Sequence, residues 1–276
     1  MVKEWLRGKT VIICGSANGI GKYLVYNLIV QYNCKVIGID IDEISLSNLK
    51  TKLNEIGENY EYYCFDAKSE NNWIKLAETL KENNEQVDVL INAIGISPKF
   101  NNFNKYSLKE TNNIFATNLY SCIFAVKHLY DNLKQSRCPS IINICCSSAN
   151  MGIAGTSIYS ASKSALKCYT EVMQQELKGF YVGLLILGLV KTDFWKNQED
   201  VLKNKINSRA MAVSFAAERI VKCIVKKKKR AVVGFDAYLT DRMIRLMPTK
   251  ARSFINKYLS RKKYRFIDDE NEDVKK

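Results

Sequence analysis

Tyr159 and Lys163 lie four residues apart, and their types and spacing could support proton-transfer chemistry. On an α-helix, positions i and i+4 lie on the same face. An ammonium group beside a phenol favours the phenolate and lowers the pKa of the phenol. Such a phenol could exchange a proton with an alcohol or a carbonyl near neutral pH. The spacing is also common on surface helices, so the surrounding sequence must decide between the two interpretations.

The elements that would position this pair alternate along the 276 residues. Apolar, β-rich runs predict strands at 10–14, 35–39, 60–65, 87–92, 140–145, 183–187 and 231–234. Apolar residues at helical spacing predict helices at 20–31, 43–56, 71–83, 108–134, 158–178 and 215–226. Apolar strands that alternate with helices indicate a parallel sheet covered on both faces and joined by right-handed crossovers. The sequence therefore predicts an α/β fold with a doubly wound, Rossmann-like parallel sheet of seven strands.

Composition favours a reduced, intracellular globular protein. Hydrophobic residues make up 47% of the chain and charged residues 25%, which is ordinary for a soluble globular protein. The nine cysteines include no C-x-x-C pair, and residues 1–9 show no signal-peptide pattern, so we expect free thiols and a cytoplasmic location. His128 is the single histidine; we expect it to be structural, and we expect no metal site. No apolar run reaches the roughly 20 residues that span a bilayer.

A glycine-rich turn follows the first predicted strand. Gly15, Gly19 and Gly21 fall within residues 14–21, directly before a predicted helix. Glycine permits a tight turn and lets the backbone approach a pyrophosphate. The N-terminus of the following helix favours negative charge. This order of strand, turn and helix predicts a dinucleotide-binding site.

Asp40, at the end of the second predicted strand, predicts NAD rather than NADP as the cofactor. Its carboxylate could accept hydrogen bonds from the adenosine ribose hydroxyls. It would repel a 2′-phosphate by on the order of 4 kcal/mol per charge pair at ~4 Å in an effective dielectric near 20. Ile41, Asp42 and Glu43 follow without a cation, and Asn18 occupies a turn position where a basic residue could have met that phosphate.

Together these motifs resemble the short-chain dehydrogenase/reductase family, from Lys9 to about Phe235. The family's T-G-x-x-x-G-x-G turn is present with Cys14 in place of Thr, and its N-N-A-G motif appears in part as Asn92-Ala93-Ile94-Gly95. Its Y-x-x-x-K motif is Tyr159-Ser160-Ala161-Ser162-Lys163, and its P-G-x-V-x-T-D segment is similar to 187–193. Asp66 corresponds to the acid that contacts adenine, and Asn118 to the asparagine of the fourth helix.

The resemblance implies an NAD(H)-dependent oxidoreductase that interconverts a secondary alcohol and a ketone. Tyr159 would be the general acid or base, Lys163 would lower its pKa and hold the nicotinamide ribose, and Asn118 would anchor a relay water. The implied cofactor contacts are Gly15, Ser16, Asn18, Gly19, Ile20, Gly21, Asp40, Asp66, Ala67, Asn92, Ala93, Gly95, Tyr159, Lys163, Val190 and Thr192. Family members are often dimers or tetramers through the helix that bears Tyr159, so a homo-oligomer is expected.

The family's catalytic Ser is replaced in this chain. It lies thirteen residues before the Tyr, and that position is Cys146, with Cys145 before it and Ser147 after it. A thiol is a weaker hydrogen-bond donor than a hydroxyl. Loss of one such donor costs ~2.7–4 kcal/mol in oxyanion holes. Ser147 could turn inward and replace it, Cys146 could serve an unusual substrate, or the chain could bind NAD with little activity. The candidate catalytic residues are Asn118, Cys146, Ser147, Tyr159 and Lys163.

The C-terminal third predicts a lid and a basic extension. The NAD-binding catalytic domain would be residues 1–235, with a substrate lid at about 193–213. There Phe194, Trp195 and Met211 suggest a hydrophobic, lipid-like substrate, unless they simply pack. Residues 236–265 would form a basic amphipathic extension, and 266–276 a disordered tail.

The basic charge is concentrated near this extension. Residues 226–265 hold fourteen Lys or Arg and two acids, so they carry +12 of the net +14. The extension could meet an anionic membrane surface, cover the substrate site, contact a second subunit or remain solvated. Nucleic acid is not an expected partner, because no aromatic-laced reading surface is evident. A second hypothesis for the whole chain is a catalytically weak NAD-binding protein that acts through this basic surface.

Overall fold

The computed structural model describes residues 5–56 and 60–259. Seven parallel strands form one sheet in the order β3-β2-β1-β4-β5-β6-β9, which confirms the predicted doubly wound α/β fold. The strands of this sheet are β1 (Thr10–Cys14), β2 (Lys35–Asp40), β3 (Tyr60–Cys64), β4 (Val89–Asn92), β5 (Ser140–Cys146), β6 (Tyr181–Leu187) and β9 (Arg230–Val233). The strand order reverses between β1 and β4, where ligands bind in folds of this kind.

The helices cover both faces of the sheet. They are α1 (Gly19–Tyr32), α2 (Glu43–Asn54), α3 (Glu70–Glu82), α4 (Leu108–Phe115), α5 (Ser121–Lys134), α6 (Ser157–Glu176), α7 (Asp200–Asn207), α8 (Val213–Val225), α9 (Phe235–Leu246) and α10 (Pro248–Leu259). One face packs against α1, α2 and α8 through residues such as Leu24, Leu46 and Ile220. The other face packs against α3, α5 and α6 through Trp73, Leu129 and Met173.

The predicted helix 108–134 is not regular. A π-helical turn, Ala116–Tyr120, separates α4 from α5. Ser107 caps α4 by accepting from the backbone N–H of Glu110, whose carboxylate accepts from the N–H of Ser107. This capping box fixes where α4 begins. Single π turns occur often at functional sites, and this one contains Asn118.

The segment after β6 holds elements that the sequence did not predict. Val190–Lys191 (β7) and Met211–Ala212 (β8) pair as a short parallel ribbon, and α7 lies between them. These strands are two residues long, too short for a hydrophobic pattern to reveal them. The ribbon therefore holds the two ends of the segment 192–210, the predicted lid, next to each other.

The C-terminal helices pack beside the loop that follows β5. Arg230 forms a bidentate ion pair with Asp241 of α9, and Asn150 donates to the same carboxylate at 2.9 Å. Met151 packs with Ile244 of α9 and Ala251 of α10. The break predicted at Pro248 is confirmed, because Pro248 is the first residue of α10. The predicted disordered tail, 266–276, lies outside the described residues. None of the helices in the described ranges is long and apolar enough to cross a membrane.

Candidate active site

A cleft of about 810 Å³ lies at the carboxyl ends of the central strands. This volume is in the range of small-molecule and cofactor sites. The residues that follow β1, β2, β4, β5 and β6 meet there, because parallel strands all end at the same edge of the sheet. The cleft therefore gathers residues that are far apart in the sequence.

The glycine turn forms one wall of the cleft. Gly15 has a φ of +85°, and a Cβ there would lie 2.8 Å from the backbone of Ile94. A Cβ on Gly21 would overlap the carbonyl oxygen of Gly15. Glycine is thus required at both positions, as the sequence predicted. Helix α1 begins at Gly19, beside the cleft, so its N-terminal N–H groups suit a diphosphate. This turn fits the dinucleotide cofactor predicted from the sequence.

Asp40 is held beneath the turn by backbone donors. One carboxylate oxygen accepts from the N–H of Ala17 at 3.0 Å, and the other accepts from the N–H of Ile41 at 2.8 Å. Asp40 lines the cleft, where its remaining lone pairs could accept from ribose hydroxyls. Asp40 is therefore the last residue of β2 and lies beside the glycine turn, and its contact with the ribose stays a prediction.

Asn18 and Asp42 form a second polar group at this end of the cleft. The Asn18 amide donates to Asp42 at 3.0 Å and to Ser45 at 3.3 Å. Hydrogen bonds from Ser45 lower the pKa of Asp42, and nearby Lys196 lowers it further. The sequence interpretation missed Lys196, since this lid residue lies far along the chain from Asp40. Its charge partly balances the acids around the expected ribose position.

Tyr159 and Lys163 lie on the same side of α6, as predicted, and both line the cleft. Each is nearly buried, with 5% and 4% of its surface exposed. The Lys163 ammonium donates to the carbonyl of Ile94 at 3.4 Å. It also lies 3.0 Å from the position that a Cβ on Gly95 would take. Gly95 therefore leaves room for the lysine head group.

Lys163 is not among the main influences on the pKa of Tyr159 in this structure, so the lowering predicted for Lys163 stays a prediction. Burial raises the pKa of Tyr159 well above its usual value, and the neighbouring thiol of Cys146 raises it further. Desolvation disfavours the charged phenolate. The phenol is therefore protonated at neutral pH and can act as a proton donor.

Cys146 occupies the position of the usual catalytic hydroxyl. It is the last residue of β5 and lines the cleft, where its side chain contacts Tyr159. Ser147 begins a 3₁₀ turn, with its hydroxyl oxygen 4.0 Å from the Cys146 sulfur. Within residues 5–56 and 60–259, the cleft lining includes Cys146 but not Ser147.

Cys145 points away from Cys146, as neighbouring residues of a strand do. Its thiol donates to the backbone carbonyl of Lys163 at 3.2 Å. Burial raises its pKa to about 12. Cys145 is therefore a buried structural thiol.

The Asn118 side chain clamps the segment after β4 to α6. Its oxygen accepts from the N–H of Ile96 at 2.8 Å. Its amide donates to the carbonyl of Ile96 at 3.0 Å and to the hydroxyl of Ser162 at 3.1 Å. Asn118 is fully buried, whereas Ile96 is partly exposed and lines the cleft. Because its side-chain hydrogen bonds are used in this clamp, a relay water would have to meet its main chain.

The lid segment is packed down on the residues after β4. Gln198 donates to the carbonyl of Pro98 at 2.7 Å and accepts from the N–H of Phe100 at 2.9 Å. Trp195 stacks edge-on against Phe100 and donates its indole N–H to the carbonyl of Val190 at 3.0 Å. Trp195 is thus mainly a packing residue. Sequence reasoning missed Phe100 and Gln198, because their contact spans about a hundred residues.

Phe194 reaches the reactive centre. Its ring lies edge-on to Tyr159, with 5.7 Å between the ring centroids. Met211, in contrast, packs against the main core and near Gly234. Of the three lid residues predicted to shape a hydrophobic site, Phe194 and Trp195 line the cleft.

Most of the predicted cofactor residues line the cleft, namely Gly15, Asn18, Gly19, Ile20, Asp40, Asp66, Ala67, Ala93, Gly95, Tyr159, Lys163, Val190 and Thr192. Three others lie behind it within the described ranges. The Ser16 hydroxyl contacts Tyr60 at 3.1 Å, the Asn92 amide donates to Asn143 at 2.8 Å, and Gly21 supports the turn. Residues that were missed include Phe65, Lys68, Ile94, Leu187, Gly188 and Asn197. Most of them directly follow a strand or neighbour a predicted site residue, which was the signal available.

Two further polar residues that the sequence singled out are His128 and Asp66. His128 lies outside the cleft and contacts the carboxylate of Glu70 at 2.8 Å, as expected for a structural histidine. Asp66 accepts from the N–H of Lys68 at 2.9 Å and lines the cleft. Its side chain is therefore held at the edge of the site.

Comparison with known proteins agrees with this geometry. A family model described as short chain dehydrogenase matches residues 9–203. The ketoacyl reductase HetN of Nostoc sp. is 28% identical over 244 residues, which cover 88% of this chain and 84% of that protein. The 3-ketodihydrosphingosine reductase of Bos taurus is 22% identical over 85% of this chain and 74% of its own length. A short-chain dehydrogenase/reductase from Burkholderia phymatum, solved in complex with NAD, superposes with a TM-score of 0.79 at 18% identity, over 89% of this chain and 95% of its own.

Proposed function

This chain belongs to the short-chain dehydrogenase/reductase family and is an NAD(P)-dependent oxidoreductase that acts on CH–OH groups, and we propose that it uses NAD(H) to interconvert a hydrophobic secondary alcohol and its ketone. The observation that carries this proposal is the nearly buried pair Tyr159 and Lys163 in the same cleft as the glycine turn and Asp40. A protonated phenol beside a substrate oxygen is the arrangement needed for general-acid catalysis.

In the reduction direction, Tyr159 donates its proton to the carbonyl oxygen of the substrate. The nicotinamide, when bound, supplies the hydride that the carbonyl carbon accepts. Cys146 contacts Tyr159 and lines the cleft, so its S–H is the proposed second donor to the same oxygen. Lys163 donates to the carbonyl of Ile94 and holds positive charge beside the site. In the oxidation direction, the phenolate of Tyr159 takes the proton back.

NAD is the proposed cofactor because Asp40 and Asp42 both line the expected ribose end of the cleft. Two carboxylates would repel a 2′-phosphate. Lys196 opposes this effect, since its charge acts on Asp42. Titration of the purified protein with NADH and NADPH, followed by fluorescence, tests the assignment. Tighter binding of NADPH would show that Lys196 outweighs the acids.

A hydrophobic, lipid-like substrate is supported by the aromatic wall beside Tyr159. Phe194 meets the Tyr159 ring, and Trp195 and Phe100 extend the apolar surface behind it. Two relatives are named as a ketoacyl reductase and a 3-ketodihydrosphingosine reductase, which agrees with keto groups on long-chain compounds. A panel of short and long 3-keto compounds, assayed by NADH absorbance, tests this. Turnover that does not rise with chain length would remove the support.

The second candidate function is weak NAD binding without useful turnover. The thiol at position 146 and the raised pKa of Tyr159 favour it, because both depart from an optimal proton donor and acceptor pair. Tyr159→Phe separates the two candidates. The enzyme loses turnover and keeps NADH binding, whereas the binding protein has no turnover to lose.

A homo-oligomer, dimer or tetramer, is also proposed. Tyr120 and Val172, beside α5 and on α6, are 48% and 41% exposed, so these helices have apolar surface available for a second subunit. Light scattering of the purified protein gives the mass directly. A monomer at micromolar concentration would contradict the proposal.

A further inference from the structure

Helix α9 exposes an apolar stripe. Phe235, Leu239 and Leu246 are 80%, 49% and 77% exposed. Their spacing of four and seven residues places them on one side of the helix. The opposite side, with Ala237 and Ile244, is buried against the protein. The helix therefore has apolar residues on both its inner and its outer face.

Cations lie within and beside this stripe. Arg242 lies between Leu239 and Leu246 in the same row and stacks on Tyr238 at 5.3 Å. Arg245 and, at the start of α10, Lys250 are exposed beside it. Apolar side chains together with arginine and lysine on one exposed surface suit the interface of an anionic membrane.

The nearby acids are already engaged with the protein. Asp241 is 4% exposed and forms the ion pair with Arg230. Asp236 accepts from the N–H of Leu189 at 3.2 Å. Residues 226–265 hold fourteen Lys or Arg and these two acids. The exposed cations Arg242, Arg245 and Lys250 therefore exceed the one exposed acid beside the stripe, Asp236.

We propose that the outer face of α9, formed by Phe235, Tyr238, Leu239, Arg242, Arg245 and Leu246, binds the surface of an anionic lipid bilayer. The apolar side chains enter the interface between head groups and acyl chains, and the cations meet the lipid phosphates. A second copy of the chain fits this face less well, because it would bring the same excess of positive charge against the first.

Helix α9 is also connected to residues that line the cleft. Its first turn is bonded to Leu189 through Asp236, and Gly188, directly before Leu189, lines the cleft. Its second half packs on Met151, in the loop between Cys146 and Tyr159. A bilayer held on the outer face of α9 would lie near the rim of the substrate end. The binding proposal itself does not depend on which substrate the enzyme uses.

Sedimentation of the full chain with vesicles tests the proposal. We expect binding to vesicles of phosphatidylcholine with roughly a third phosphatidylglycerol, and much weaker binding to phosphatidylcholine alone. Arg242→Gln with Arg245→Gln removes two cations, each worth about 1 kcal/mol near the surface, and should weaken binding about 30-fold. Leu246→Ser should weaken it about tenfold or more.

Leu108→Ser is the matched control. Leu108 is 76% exposed, close to the 77% of Leu246, but lies at the start of α4. We expect no change in vesicle binding for this variant. Equal binding to both vesicle types, equal loss in both Leu→Ser variants, or no binding at moderate salt would overturn the proposal. So would a lipid-free dimer that Leu246→Ser converts to monomer, because the face would then be a subunit interface.

Discussion

Cys146→Ser should increase turnover if the side chain at this position holds the substrate oxygen. Cys146 lines the cleft and contacts Tyr159, so a hydroxyl at the same position would point at the same oxygen. One well-placed donor is worth ~2.7–4 kcal/mol, or ~10²–10³ in rate. A thiol already supplies part of this as a weaker donor. We therefore expect kcat to rise on the order of tenfold.

The ratio of kinetic constants gives a second readout. A donor that acts mainly on the developing alkoxide changes kcat and kcat/KM together and leaves KM nearly constant. The same change removes the thiol that raises the pKa of Tyr159. The pH at which alcohol oxidation begins to rise should therefore move down.

Ser147→Ala and Cys146→Ala complete this experiment. We expect Ser147→Ala to have a kcat close to that of the unchanged protein, because Ser147 lies outside the cleft lining found among the described residues. Cys146→Ala should lower kcat. If Cys146→Ser left turnover unchanged and Ser147→Ala abolished it, Ser147 would be the donor and the reasoning above would be refuted.

Three further predictions concern the turn, the clamp and alkaline stability. Gly21→Ala should abolish NADH binding, because its Cβ would overlap the Gly15 carbonyl, whereas Gly152→Ala, with no atom within 4 Å, should bind normally in a fluorescence titration. Asn118→Ala should lower the free energy of unfolding in urea by about 1–3 kcal/mol, because it removes two hydrogen bonds to the partly buried backbone of Ile96 and one to the buried hydroxyl of Ser162. Burial raises the pKa of Cys34 and Tyr60 to about 12. The contribution of these two neutral groups to the free energy of unfolding is therefore full below pH 9 and is lost as the pH rises toward 12. An unchanged urea midpoint between pH 8 and 11 would contradict this prediction.

The sequence predicted the sheet and the cofactor turn well because their signals are local. Each strand of the sheet is a short apolar run, and each run is found as a strand within about two residues at either end. Gly15 is required because it lies against the backbone that follows β4, and Gly21 because it lies against the carbonyl of Gly15. Contacts with the rest of the protein do not change the secondary structure that these local patterns predict.

The features that the sequence did not predict depend on contacts between distant parts of the chain or on small shifts at the end of an element. Gln198 meets Pro98 and Phe100 across about a hundred residues. The π turn around Asn118 has the same apolar spacing as the helices beside it. Whether Cys146 or Ser147 faces the cleft depends on the last residue of β5, since successive side chains of a strand point to opposite sides. A shift of one residue at that end would have exchanged their positions.

Tyr159 shows why a motif alone does not fix a pKa. The Y-x-x-x-K spacing brings an ammonium to the same side of the helix, which favours the phenolate. Burial acts in the opposite direction and is the largest influence in this structure, with the thiols of Cys146 and Cys145 adding to it. At neutral pH the phenol therefore keeps its proton. Reduction, which consumes that proton, should have a pH profile that is flat through neutrality and falls only at high pH, whereas oxidation should rise with pH. Parallel profiles in the two directions would mean that a group other than Tyr159 carries the proton.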